Sequence, residues 1–297
     1  MSAAQRLDAL AQAHPEWSGW LRVVRELAPG LSDPAWDADP PHAGRPSDAA
    51  PMLAGATLQP DGRALARLLD RLAGVAQAQG LQALAGTARP GRTTSPDEAL
   101  AVFLAALDDD PQELGRWASR TGATPEGARA LAQLLPMPYL HGCARAWSST
   151  ARGAAWSHGH CPVCGAWPAF AEVRGIERTR HLRCGRCGAG WPMPALACTY
   201  CGMRDHERLG TLSVDDKAAR FALEVCHACM GYLKSCTTLQ PTPSDEVIVT
   251  DLASVEFDIA AVERGFLRPP GHGASLRASL GTAAKAPAPA PARRGWS

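Results

Sequence analysis

Eight cysteines fall into four Cys-x-x-Cys pairs: Cys161 and Cys164 in CPVC, Cys184 and Cys187 in CGRC, Cys198 and Cys201 in CTYC, and Cys226 and Cys229 in CHAC. Successive pairs are separated by 19, 10 and 24 residues. Two residues between two thiols let one tight turn aim both sulfurs at a single ion, and two such turns complete a tetrahedron. Taken in order, the first pair with the second and the third with the fourth, they make two C-x2-C…C-x2-C units. The first has the spacing of a zinc-type site and the second is slightly longer. Gly165, Gly188 and Gly202 each follow the second cysteine of a pair, where the chain needs positive φ to turn a backbone N–H toward sulfur. The fourth pair departs from this, with Met230 and then Gly231. The chemistry expected is two metal ions per chain, each held by four thiolates. Zinc and a single iron of the rubredoxin type suit such a donor set equally.

Two other chemistries compete for the same residues. A thiol–disulfide couple would place one Cys-x-x-Cys at a helix N-terminus in an α/β domain, not four pairs in a hairpin-rich segment. A zinc ribbon that binds nucleic acid would use a basic face, and Arg174, Arg178, Arg180, Arg183 and Arg186 supply a basic run. Against that stands the overall balance of 30 Lys plus Arg to 29 Asp plus Glu. Cys143 and Cys236 stand alone and read as ordinary thiols. His158, His160 and His227 lie beside or within the pairs, but four sulfurs already fill each tetrahedron. Asp251 and Asp258 read as a helix cap and a solvent-facing charge, not as an acid pair. No nucleotide-binding glycine loop, Ser–His–Asp set or paired carboxylates point to catalysis, so a non-enzymatic protein is expected.

The elements that must position the cysteines differ along the chain, whose 297 residues are 46% apolar and 20% charged, as in ordinary globular proteins. Residues 1–150 read as a helical domain. Trp17, Trp20, Leu21, Val24 and Leu27 follow the spacing of one helix face, as do Leu65, Leu68, Leu69, Leu72 and Val75. Ser95-Pro96-Asp97-Glu98, Asp110-Pro111-Gln112-Glu113 and Thr124-Pro125 read as three helix starts. Residues 32–52, rich in Pro and Asp, read as a loop or linker. From residue 156 short β-type pieces such as FALEVC and EVIVTDLASVEF sit between turns. The expected organisation is a first four-cysteine module over 156–193, a second over 194–267 with a terminal helix, and a disordered Ala/Pro-rich tail over 268–297. The fold class is α+β: an N-terminal helical bundle followed by two rubredoxin-like or zinc-ribbon-like modules. The N-terminus lacks a signal-peptide pattern and no segment has membrane-spanning length, so a cytoplasmic protein without membrane partners is expected.

Across residues 158–267 the chain resembles FdhE, the formate dehydrogenase accessory protein family. The likeness runs through CPVCG with Pro168, the second pair within Arg180-His181-Leu182-Arg183-Cys184 with Trp191, and the third pair at Cys198 and Cys201. It continues through Glu224-Val225-Cys226 with Tyr232 and Lys234, and Asp251-Leu252-Ala253-Ser254 with Asp258. The family's paired aspartates appear here as Thr250-Asp251, and the basic residue before the third pair is missing. The resemblance implies an assembly or maturation factor that binds the catalytic subunit of formate dehydrogenase. It also implies two rubredoxin-like metal modules carrying iron or zinc, with Tyr232, Lys234 and Asp251 as candidate partner-binding residues.

Overall fold

The computed structural model describes residues 3–37, 50–84, 86–87, 93–148, 156–212 and 220–281. The N-terminal half is built of α1 (Ala3–Ala13), α2 (Ser18–Ser32), α3 (Gly62–Ala78), α4 (Pro96–Asp108), α5 (Pro111–Thr121), α6 (Pro125–Leu134) and α7 (Met137–Ser148). The three expected helix starts are present: the Ser95 hydroxyl accepts from the Glu98 amide at 3.1 Å, Asp110 from Gln112 and Glu113, and Thr124 from Gly127. In each, proline occupies the first turn, where its missing N–H costs nothing. Leu21, Val24 and Leu27 of α2 and Leu65, Leu68, Leu69 and Leu72 of α3 are buried on the faces their spacing implied.

The cysteine-rich half forms one sheet. Its strands are β2 (Phe170–Arg174), β3 (Thr179–Arg183), β4 (Gly190–Pro192), β5 (Leu209–Leu212), β6 (Phe221–Cys226) and β7 (Gly231–Thr238), in the order β4-β3-β2-β7-β6-β5. Neighbours are antiparallel except at the centre, where β2 and β7 run parallel with Phe170 opposite Lys234. That parallel joint fuses the two expected modules into a single layer. Helices α8 (Val247–Leu252) and α9 (Val255–Glu263) follow. The segment EVIVTDLASVEF is therefore helical where its β-branched residues suggested a strand. Val247, Val249 and Phe257 are each buried, in three different apolar clusters, and that tertiary packing outweighs the weak local preference.

The core ignores the boundary between the halves. Phe103, Leu107, Leu140 and Cys143 of the helices share one apolar cluster with Cys161, Cys164, Cys184, Cys187, Leu182 and Trp191. At the end of the Pro-rich linker, Met52 and Leu53 donate their amides to the carbonyls of Pro162 and Val163, at 2.7 and 3.2 Å. Residues 38–49 of that linker lie outside the described residues. The expected tail begins too early. Leu276 is 1% exposed, the Gly55 amide donates to its carbonyl, and β8 (Ser279–Leu280) pairs in parallel with β1 (Thr57–Leu58). A single leucine amid glycine and serine gives little periodic signal, yet it fills the core against the N-terminal half. Residues 282–297 of the expected tail lie outside the described residues. Leu276→Ala should cost about 2–4 kcal/mol of unfolding free energy, as for other leucines truncated in packed cores. Urea titration of the two proteins should show a lower midpoint with an unchanged slope.

Candidate metal centres

Each cysteine pair occupies a tight turn, the second between β3 and β4 and the fourth between β6 and β7, and three turns repeat one hydrogen-bond pattern. The Gly165 amide donates to the Cys161 carbonyl, Gly188 to Cys184 and Gly202 to Cys198, each at 3.0 Å. In return the amides of Cys161, Cys184 and Cys198 donate to the carbonyls of Ala166, Ala189 and Met203. The three glycines have φ of 69°, 70° and 72°, the left-handed conformation their positions implied. Met230 takes the same place in the fourth turn at φ 54°, a cost of about 1–2 kcal/mol for a side chain with a Cβ. Gly231 must stay small beside it, because a Cβ there would lie 2.7 Å from the Tyr200 ring.

The turns bring the sulfurs together in sequence order. Cys161, Cys164, Cys184 and Cys187 form one cluster and Cys198, Cys201, Cys226 and Cys229 a second, with all sulfurs in each within 4.8 Å of one another. The closest contacts are Cys161–Cys187 at 3.4 Å and Cys164–Cys184 at 3.5 Å in the first, and Cys198–Cys229 at 3.7 Å and Cys201–Cys226 at 3.8 Å in the second. Metal–sulfur bonds of about 2.3 Å in a tetrahedron require sulfur separations of about 3.8 Å, so both donor sets fit one such ion. Disulfide-bonded sulfurs would lie about 2 Å apart. Among the described residues no histidine joins either cluster.

Their surroundings differ. The first cluster is fully buried, with all four cysteines at 0% exposure. Burial drives the Cys161 and Cys187 thiols well above their usual pKa, whereas hydrogen bonds from the other three cysteines hold Cys164 well below it. Such a site supports several thiolates together only with a cation at its centre. Three histidines stand around it. Burial lowers His141 to about 3 and His160 and His272 to about 4, so all three are neutral at pH 7. His272 Nε2 accepts from Arg186 at 3.0 Å, as a neutral ring can. In the second cluster Cys198 and Cys226 are buried, but Cys201 and Cys229 are exposed.

The two sites touch. A Cβ on Gly159, just ahead of the first cluster, would lie 1.7 Å from the carbonyl oxygen of Thr199, inside the third turn. Trp167 packs edge-on against Tyr200 with ring centroids 5.2 Å apart. Arg180 donates to Thr199 Oγ1 at 2.7 Å and pairs with Glu224 at 2.6 Å. These contacts are invisible to motif spacing, although the small residue between His158 and His160 was a hint of close approach.

The basic run is largely consumed inside the fold. Arg174 and Arg183 flank Glu172, which is fully buried; Arg186 donates to the carbonyls of Ala106 and Leu107. Burial alone would raise the Glu172 carboxyl, but Arg183 and hydrogen bonds from Thr242 and Arg174 outweigh it and hold the group below its usual pKa. Tyr232 and Lys234 likewise lie inside, 4% and 0% exposed, which removes them as surface contacts for a partner. The Lys234 ammonium lies 2.6 Å from Asp251 and 2.7 Å from Asp258, the Tyr232 hydroxyl donates to Asp258, and Arg268 pairs with Asp258 at 2.8 Å. Asp251 and Asp258 thus act as internal counter-ions that pin α8 and α9 to β7. A buried ammonium demands compensation, and the two carboxylates supply it.

Two outcomes follow from this geometry. A mild chelator, followed by elemental analysis and thiol titration at intervals, should empty the second cluster first and release the first only with global unfolding; simultaneous loss would contradict the difference in burial. Lys234→Met should destabilise the chain by about 3 kcal/mol, because two carboxylates lose a buried counter-ion. Thermal or urea unfolding of the variant measures this directly.

Residues 196–272 match the family model described as "FdhE, C-terminal domain". A "Protein FdhE homolog" of Haemophilus influenzae (strain PittEE) is 34% identical over 111 residues, 37% of this chain and 36% of the relative. Another, of Shewanella baltica (strain OS223), is 34% identical over 108 residues, 36% of this chain and 35% of the relative. The matched segment thus spans about a third of the length of these curated relatives. The crystal structure of the FdhE protein from Pseudomonas aeruginosa superimposes with a TM-score of 0.54 at 22% identity, over 93% of this chain and 94% of that one. The resemblance read from the cysteine motifs is borne out: residues 196–272 match the FdhE C-terminal domain, and the chain has the fold of an FdhE protein.

Proposed function

We propose that this chain is a non-enzymatic accessory protein for formate dehydrogenase, one that binds the catalytic subunit of that enzyme in the cytoplasm during its maturation. The observation that carries the reading is a pair of four-sulfur clusters in an FdhE-type fold, the second of them within the segment that matches the FdhE C-terminal domain. Cys161, Cys164, Cys184 and Cys187 would hold one iron or zinc ion and Cys198, Cys201, Cys226 and Cys229 another. Iron would supply one-electron exchange there and zinc a rigid fold. Four thiolates complete each tetrahedron, so neither site offers an open position to a substrate or an activated water. The chain's own contribution is then a binding surface whose shape the clusters hold. Arg174, Arg183, Arg180 and Arg186 are turned into the fold, toward Glu172, Glu224 and the Ala106 carbonyl, and so away from the open face that a phosphate-binding ribbon would need.

Deleting the gene should leave the catalytic subunit present but most formate oxidation lost, and the wild-type gene should restore it. Cys184→Ser and Cys198→Ser should fail to restore it even where soluble protein accumulates. Full formate dehydrogenase activity in the deletion strain would refute the accessory role.

A further inference from the structure

The two faces of the sheet have different fates. One, carrying Glu172, Leu223 and Lys234, is covered by α8, α9 and the segment leading into them. On the other, Leu182 and Trp191 at the β3–β4 end enter the core. The remainder of that second face, over β2, β7, β6 and β5, lines a cavity of about 490 Å³ that reaches the second cysteine cluster. Its volume lies in the range of ligand-binding clefts.

The register fixes what this cleft presents. Val173 stands opposite Thr237 and Ala222 opposite Ser235, so the floor is small side chains over which a second backbone can lie close. Arg178 and Arg180 wall one side, Arg220 rises where β6 begins, and Leu196, 67% exposed, forms an apolar rim. Arg180 is spent on Glu224 and Thr199. Arg178 and Arg220 are both exposed and make no ion pair among the described residues, and the Arg220 guanidinium lies over the Phe221 ring at 5.6 Å. Carboxylates match guanidinium forks in bidentate pairs. Tyr200, Phe221 and His206 also line the cleft, and Tyr232 is 4% exposed with its hydroxyl held by Asp258, so a single-stranded nucleic acid stacking on these rings is the competitor that the test includes.

We infer that this cleft is a docking groove for an extended acidic polypeptide segment, with carboxylates meeting Arg178 and Arg220 and one apolar side chain meeting Leu196. Naming that segment as part of the formate dehydrogenase catalytic subunit rests on the function proposed above.

The test uses the full-length, metal-loaded protein. Overlapping fluorescent peptides spanning the host's catalytic subunit are titrated with wild type, with Arg178→Glu/Arg220→Glu and with Arg178→Lys/Arg220→Lys, and the three proteins are also used to capture the intact subunit. The bound peptides should be acidic, and charge reversal should weaken them by at least about tenfold while the lysine variant keeps most of the affinity. Binding should also weaken between about 50 and about 300 mM salt. Both arginines are exposed, so the helical circular dichroism should not change. Neutral or basic peptides binding best, no peptide binding, equal affinity after charge reversal, or a single-stranded oligonucleotide outcompeting the peptides would each overturn the groove. If wild type and the charge-reversed protein capture the intact subunit equally, the groove falls while the accessory role stands. If wild type captures nothing, both fall.

Discussion

Everything in this chain leans on four thiols buried together where helices meet sheet. The first cluster has no exposed atom to share charge with water, and it occupies the same apolar core as Phe103, Leu107 and Leu140 of the N-terminal helices. Charged sulfurs in such a place are costly unless a cation neutralises them. With an ion bound, the electrostatic centre and the hydrophobic centre of the molecule coincide. Metal affinity and folding free energy then become one quantity for most of the chain, not for a small satellite module. The second cluster, with half its cysteines exposed, carries no such burden.

The sheet repeats the theme of charge held inside. Glu172 and Lys234 lie on its covered face, each fully buried and each compensated from a different part of the sequence: Arg174, Arg183 and Thr242 for the glutamate, Asp251 and Asp258 for the lysine. Such pairs add little net stability over an apolar core, but losing one partner is severe. Their effect here is to fix the register of β2 and β7 and the seat of α8 and α9, and so to keep the two cysteine clusters in contact through Gly159 and Thr199.

What could be read from the sequence depended on how local its cause was. The cysteine turns, their trailing glycines, the proline-led helix starts and the helical faces all follow from residues within a few positions of one another, and each is present where spacing placed it. The joining of the modules by β2 and β7, the capture of Leu276 and the burial of Lys234 depend on partners far along the chain. No periodicity records them. Helices α8 and α9 mark the boundary case, since the local preference of Val and Ile for strand lost to packing against partners from several distant parts of the chain. Tyr232, Lys234 and Asp251 were visible as a motif, yet they meet in one polar network with Tyr232 and Lys234 buried beneath it, because a motif carries no information about depth.

The parallel joint at the middle of the sheet has a consequence for biosynthesis. Strand β2 is made early, with β3 and β4 immediately after it, but its other neighbour is complete only when the ribosome has passed residue 238. Until then one edge of the nascent hairpin keeps its amides and carbonyls open, a template for pairing with a neighbouring chain. The side chains along that edge include Glu172 and Arg174, which pair with each other within the strand and so set charge against adventitious strand addition. The newborn protein is thus guarded at its most adhesive moment by the same ions that later anchor the finished sheet.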